Sequence, residues 1–154
     1  MRRLALVLCL AFGCGSSAGP NLPDGEGLAS QVKIDGDDAP VAAVRVDSVA
    51  WRPRRLLPLS FDSLDPELEI EGTYAVFFRN AGDAPLDLRY DLHFLDRDGF
   101  LIDVFNPFGL PLRLEPGAAL RHGDLFSIRA ATQNQVEDLA TLQVNVRVVA
   151  GTAP

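Results

Sequence analysis

The 154-residue chain carries 47% hydrophobic residues and a formal charge of −7, with 14 Lys+Arg against 21 Asp+Glu. So acidic a protein repels nucleic acid and anionic lipid, so neither is expected to be its partner. Its only cysteines are Cys9 and Cys14. Both lie in or at the edge of the leader, which excludes thiolate catalysis, Cys-based zinc sites and CxxC redox chemistry from the domain that follows.

Arg2 and Arg3 precede an apolar run from Leu4 to Phe12 and then Gly13-Cys14-Gly15-Ser16-Ser17-Ala18. A basic start, a short apolar stretch and small residues at the exit are the parts of a secretory signal. The run is too short for the roughly 20 residues of a membrane-spanning helix. Ala11-Phe12-Gly13-Cys14 resembles the lipobox of bacterial lipoproteins, which implies a signal segment over 1–13, acylation of Cys14 and attachment to the membrane through the N-terminal lipid. Ordinary cleavage after Ala18 is the alternative, giving a soluble periplasmic or secreted protein. Loss of Arg2 and Arg3 with the leader takes the charge to −9.

Residues 14–40 are rich in Gly and Pro and contain no aromatic side chain. A segment of this kind does not bury enough apolar surface to offset its conformational entropy, and it reads as a flexible tether reaching roughly 30 Å. The folded domain is expected over 41–150, with a disordered tail at 151–154.

An early strand is expected within Val41–Trp51. Leu68, Ile70, Gly72, Tyr74, Val76 and Phe78 then alternate with Glu69, Glu71, Thr73, Ala75, Phe77 and Arg79, and Leu86, Leu88, Tyr90, Leu92 and Phe94 with Asp87, Arg89, Asp91, His93 and Leu95. Period-two alternation marks half-buried strands. Asn80–Pro85 has turn chemistry and predicts a hairpin between them. Further strands are expected over Phe100–Phe105, Leu110–Leu114, Ala119–Ile128 and Leu142–Val148, separated by Asp96–Gly99, Asn106–Gly109 and Glu115–Gly117. Ala130–Ala140 lacks strand patterning and suits a short helix or an irregular crossing. About seven short strands without βαβ alternation predict an all-β, antiparallel two-sheet sandwich, immunoglobulin-like in outline.

No catalytic constellation emerges. Asp96-Arg97-Asp98-Gly99 has two acids before its Gly and no closing Glu, so it reads as a turn rather than a calcium loop. His93 and His122 are the only histidines. They are fewer than the three protein ligands of a catalytic zinc and read as surface residues, so no metal and no cofactor are expected. Arg52, Arg54 and Arg55, beside Trp51, are a candidate anion contact, or else partners of the acidic run that starts at Asp62. Phe77 and Leu95 break otherwise polar faces, and Phe100, Phe105 and Phe108 gather around one loop. Exposed together, the five would form an apolar partner surface.

The stretch Arg79–Asp83, Leu86–Gly99 and Leu114–Gly117 resembles the FxLYD-type and YcfL-like bacterial domains, small β-sandwiches often found on exported lipoproteins. The resemblance spans roughly Tyr74–Phe126 and implies a sandwich fold and a cell-envelope location, with no catalytic residues. The resulting expectation is a lipid-anchored, non-enzymatic module on the outer membrane, facing the periplasm, that binds another envelope protein. The alternatives are a periplasmic carrier or chaperone of an apolar ligand and a hydrolase of unrecognised type.

Overall fold

The computed structural model describes residues 22–23, 28–36, 38–59 and 67–150. The signal segment 1–13, Cys14, the acidic residues Asp62 and Asp65 and the tail 151–154 lie outside the described residues. The elements are β1 (Ala29–Gly36), α1 (Asp38–Ala43), β2 (Val44–Pro58), β3 (Leu68–Asn80), β4 (Leu86–Asp96), β5 (Leu101–Phe105), β6 (Leu112–Leu114), β7 (Ala119–His122), β8 (Leu125–Ala130), α2 (Gln133–Asp138) and β9 (Leu139–Ala150).

They form an all-β sandwich of two sheets. One has the order β1-β9-β4-β5, with β6 also on β4, and the other has β2-β3-β7, with β8 also on β3. The expected alternation places the core: Ile70, Tyr74, Val76 and Phe78 of β3 and Leu86, Leu88, Tyr90, Leu92 and Phe94 of β4 are all buried. They meet Leu142, Val144 and Val146 of β9 and Phe126 and Ile128 of β8 in one cluster. Phe94 and Phe126 join the two sheets with ring centroids 4.6 Å apart. A fully buried side chain of this size contributes roughly 2–3 kcal/mol through the surface it removes from water.

Several boundaries differ from the expectation. Among the described residues there are nine strands. The domain starts before residue 41: part of the expected tether, Ala29–Gly36, is β1, paired in parallel with β9 from Ala29↔Thr141 to Gly36↔Val148. Leu22 also packs against the core. A backbone ladder and one indole bond, from Trp51 Nε1 to the Ala29 carbonyl at 3.0 Å, hold a strand whose side chains are nearly all exposed. Composition does not report an interaction of that kind. The expected strand Ala119–Ile128 is broken into β7 and β8 at Gly123-Asp124, where the chain comes close to β3. A Cβ at Gly123 would run into the Tyr74 carbonyl and lie 2.6 Å from Ala75 Cα. The expected crossing segment holds the single turn α2, with Val136 buried beneath it.

The predicted β3–β4 hairpin is not a hairpin. β3 belongs to one sheet and β4 to the other, and Asn80–Pro85 carries the chain across the sandwich. Asn80 is the one fully buried polar residue among those described. Its Nδ2 donates to the carbonyls of Ala84 (2.8 Å) and Leu114 (3.1 Å), and its Oδ1 accepts from the Gly82 N–H at 2.9 Å. Removing this amide strands buried groups at roughly 1–3 kcal/mol each. Asn80→Ala should therefore lower the unfolding free energy by about 2–4 kcal/mol in urea titrations, and Asn80→Asp, which loses the donor, should be no better.

Candidate functional site

The five residues expected to form a partner surface are dispersed. Phe105 faces inward against Tyr74, with ring centroids 5.9 Å apart. Phe77 is on the outer face of the other sheet, with the Arg121 guanidinium 5.8 Å from its ring centroid. Phe108 is 85% exposed in the β5–β6 loop, beyond the far end of β5 from Phe100. Only Leu95 and Phe100 stay together. Leu95 lies opposite Leu101, and Phe100 and Leu101 are 71% and 52% exposed.

The turn that presents them is rigid. Asp96 Oδ1 accepts the backbone N–H groups of Asp98 (2.9 Å) and Phe100 (2.8 Å). The Asp96 N–H donates to the Phe100 carbonyl at 3.0 Å and the Gly99 N–H to the Asp96 carbonyl at 3.1 Å. Gly99, at φ +85°, supplies the left-handed residue that closes the turn. The Asp96 carboxylate is thus occupied by its own backbone, as the turn reading requires.

The basic cluster is divided as well. Arg55 pairs with Glu71 at 3.4 Å. Arg52 and Arg54 instead line a shallow groove of about 240 Å³ with Thr73, Ala75 and Arg121. Arg121 escaped notice in the sequence because it is 67 residues from Arg54 and 69 from Arg52, although its alternation with Leu120 and His122 marked it as outward-facing.

A cleft of about 410 Å³ lies where the outer face of β4 and β9 meets the β5–β6 loop. Arg89, Asp91, Asn145 and Arg147 form its sheet side, and Pro107 and Phe108 are among its loop residues. Arg89 is directly opposite Arg147, and Asp91 is opposite Asn145. Asp91 Oδ2 is 3.6 Å from His93 Nε2, while its Oδ1 is buried without a hydrogen-bond partner. Arg89, Asn145 and Arg147 did not stand out in the sequence, because each looks like one more polar position on an alternating strand.

Between the sheets, behind this loop, is a small polar cluster. Tyr90 Oη is 2.6 Å from His122 Nδ1 and 3.4 Å from Tyr74 Oη. With Nδ1 unprotonated, Tyr90 donates to it and accepts from Tyr74; with Nδ1 protonated, the ring donates and Tyr90 passes its own proton to Tyr74. His122 is therefore half-buried and engaged, in contrast to the expected surface histidine. The two histidines do not converge, since His93 is on the outer face of β4 with Asp91. Among the described residues, no group of three or more His, Cys, Asp or Glu side chains is placed to hold a metal ion.

The chain is an all-β sandwich with an arginine-flanked cleft and a separate apolar turn. No protein family matches it, and no curated protein does. Among solved structures, it is similar to the Northeast Structural Genomics Consortium target SoR45, with a TM-score of 0.41 and 15% identity over 56% of this chain and 64% of that one. It is also similar to Campylobacter jejuni cj0090, with a TM-score of 0.39 and 18% identity over 77% and 98% of the respective chains. The chain thus spans just under two thirds of the first. Likenesses of this size bear on neither fold nor function.

Tyr74 and Tyr90 are the only tyrosines in the chain. Burial raises both phenols above the ordinary value of 10.0; Asp124 adds to the rise at Tyr74, and the bond to Tyr74 adds to it at Tyr90. The folded state therefore favours the neutral phenols. Their contribution is complete below about pH 10 and declines as pH rises above it, because the unfolded chain ionises first. Phenolate absorbance near 295 nm should appear only together with loss of the folded circular-dichroism signal. Normal titration near pH 10 in an intact fold would contradict the buried pair.

Proposed function

We propose that this chain is an exported, lipid-anchored β-sandwich that acts as a non-enzymatic binding or assembly module for another protein of the cell envelope. The observation that carries the reading is the Asp96–Leu101 turn, which holds Phe100 and Leu101 in water beside Leu95. Large apolar side chains on a pre-ordered turn lose little conformational freedom on association, and that is the property of an interface anchor. The leader, Cys14 and the resemblance to FxLYD-type and YcfL-like domains support an address at the outer membrane, facing the periplasm. A carrier role for an apolar ligand is less well supported, because Phe78, Phe94 and Phe126 fill the space between the sheets.

A photo-reactive residue in place of Phe100 in the intact chain should give a discrete cross-linked adduct with one envelope protein. Phe100→Ser with Leu101→Ser should reduce co-purification of that partner about tenfold or more, while stability changes by no more than about 1 kcal/mol. Absence of an adduct, or unchanged co-purification, would exclude this surface. Separately, Cys14→Ala should abolish palmitate labelling and release the protein from the membrane fraction; a variant that remains acylated and membrane-bound refutes the anchor.

A further inference from the structure

The β4–β9 cleft is distinct from the apolar turn, and its chemistry indicates a small ligand. Arg89 and Arg147 are a directly opposed cross-strand pair of like charge, an arrangement that works against sheet pairing unless an anion lies between the two groups. Among the described residues, no carboxylate lies within 4 Å of either guanidinium. Asp35, opposite Arg147 on β1, pairs instead with Lys33 at 3.5 Å. Two residues along β4 from Arg89, on the same face, Asp91 also lines the cleft, and its Oδ1 is buried without a hydrogen-bond partner. That oxygen is the one such side-chain atom among the described residues.

We infer that this cleft binds a small zwitterion of the amino-acid type, its carboxylate held between Arg89 and Arg147 and its ammonium paired with the Asp91 carboxylate, which lines the same cleft. Guanidinium groups suit a carboxylate because they offer paired donors in a planar fork, and the opposed pair supplies two such forks. Residues i and i+2 of a strand are roughly 6.5–7 Å apart, so side chains leaning toward one another meet acidic and amino groups carried on a single small frame. The volume of about 410 Å³ is in the range of small-molecule sites. Phe108, exposed on the loop wall, is positioned to cover the apolar part of the ligand. One occupant thus places an anion between the facing like charges and a cation beside the carboxylate on the same face.

The test is calorimetric titration of the intact chain in mild detergent with each of the twenty standard L-amino acids, followed by the N-acetyl and methyl-ester derivatives of the tightest. At least one amino acid should bind saturably at one per chain. Acetylation and esterification should each weaken it about tenfold or more, because each removes one of the two charges. Arg89→Lys, which keeps the charge and loses the fork, and Asp91→Asn should each weaken binding about tenfold or more, with unchanged melting curves. If no amino acid binds below roughly 10 mM, if both derivatives bind as well as the parent, or if binding is unchanged in both variants, the assignment is overturned. These outcomes are independent of cross-linking at Phe100, so the ligand site and the partner surface stand or fall separately.

Discussion

The sandwich depends on how the chain passes from one sheet to the other after β3. A crossing of this kind buries backbone groups that no ladder serves, and each must find a partner inside the protein. Asn80 supplies them: one amide closes the turn on itself through Gly82 and Ala84 and ties it to β6 through the Leu114 carbonyl. The backbone N–H of Asn80 donates to the Ala118 carbonyl at 2.9 Å, and that of Ala81 to the Ala43 carbonyl at 2.7 Å. Segments far apart in the chain are thereby held at one point, and β3 and β4 face each other across the core. Leucine or isoleucine at this position would add apolar surface and leave the same carbonyls without donors, a loss that packing does not restore.

This arrangement also determines where binding chemistry can reside. With β3 and β4 back to back, their inward residues are committed to the core, and their outward residues form two separate faces. Arg89 and Asp91 lie on one of these and Phe77 on the other. The β5–β6 loop then folds against the first face and makes a cleft from what would otherwise be flat sheet. At the opposite end of β5, the Asp96 carboxylate satisfies its own turn, and Phe100 and Leu101 remain largely exposed. The rigid scaffold and its two loop-built features divide the work in the way sandwiches commonly do, with strands supplying position and loops supplying contact.

Much of the architecture was legible in the alternation of β3, β4 and β9, because burying one face of a strand imposes a period of two on its residues. The inward-facing residues of β4 are the predicted ones from Leu86 to Phe94. What alternation does not encode is which strands hydrogen-bond. A connection of Asn, Gly, Asp and Pro looks the same whether it closes a hairpin or crosses a sandwich, and the β3–β4 link was misread for that reason. β1 was missed because its stability comes from backbone pairing rather than from apolar side chains. The candidate sites were less legible than the fold. Phe77, Leu95, Phe100, Phe105 and Phe108 are close in sequence, yet β5 separates Phe100 from Phe108 and the pleat turns Phe105 inward. Arg89 and Arg147 become neighbours only through the β4–β9 register, a long-range fact that composition does not carry.

The parallel pairing of β1 with β9 has a mechanical consequence. β1 is the first strand among the described residues, so tension passed along the chain from the N-terminal side enters the sheet at Ala29. A pull along the axis of β1 loads the bonds from Ala29 to Gly36 together, in shear. A pull across the axis opens them one at a time, starting beside Thr141. The resistance of the domain to being dragged by its N-terminus is therefore directional: the same ladder acts as a clamp along the strand and as a zipper across it.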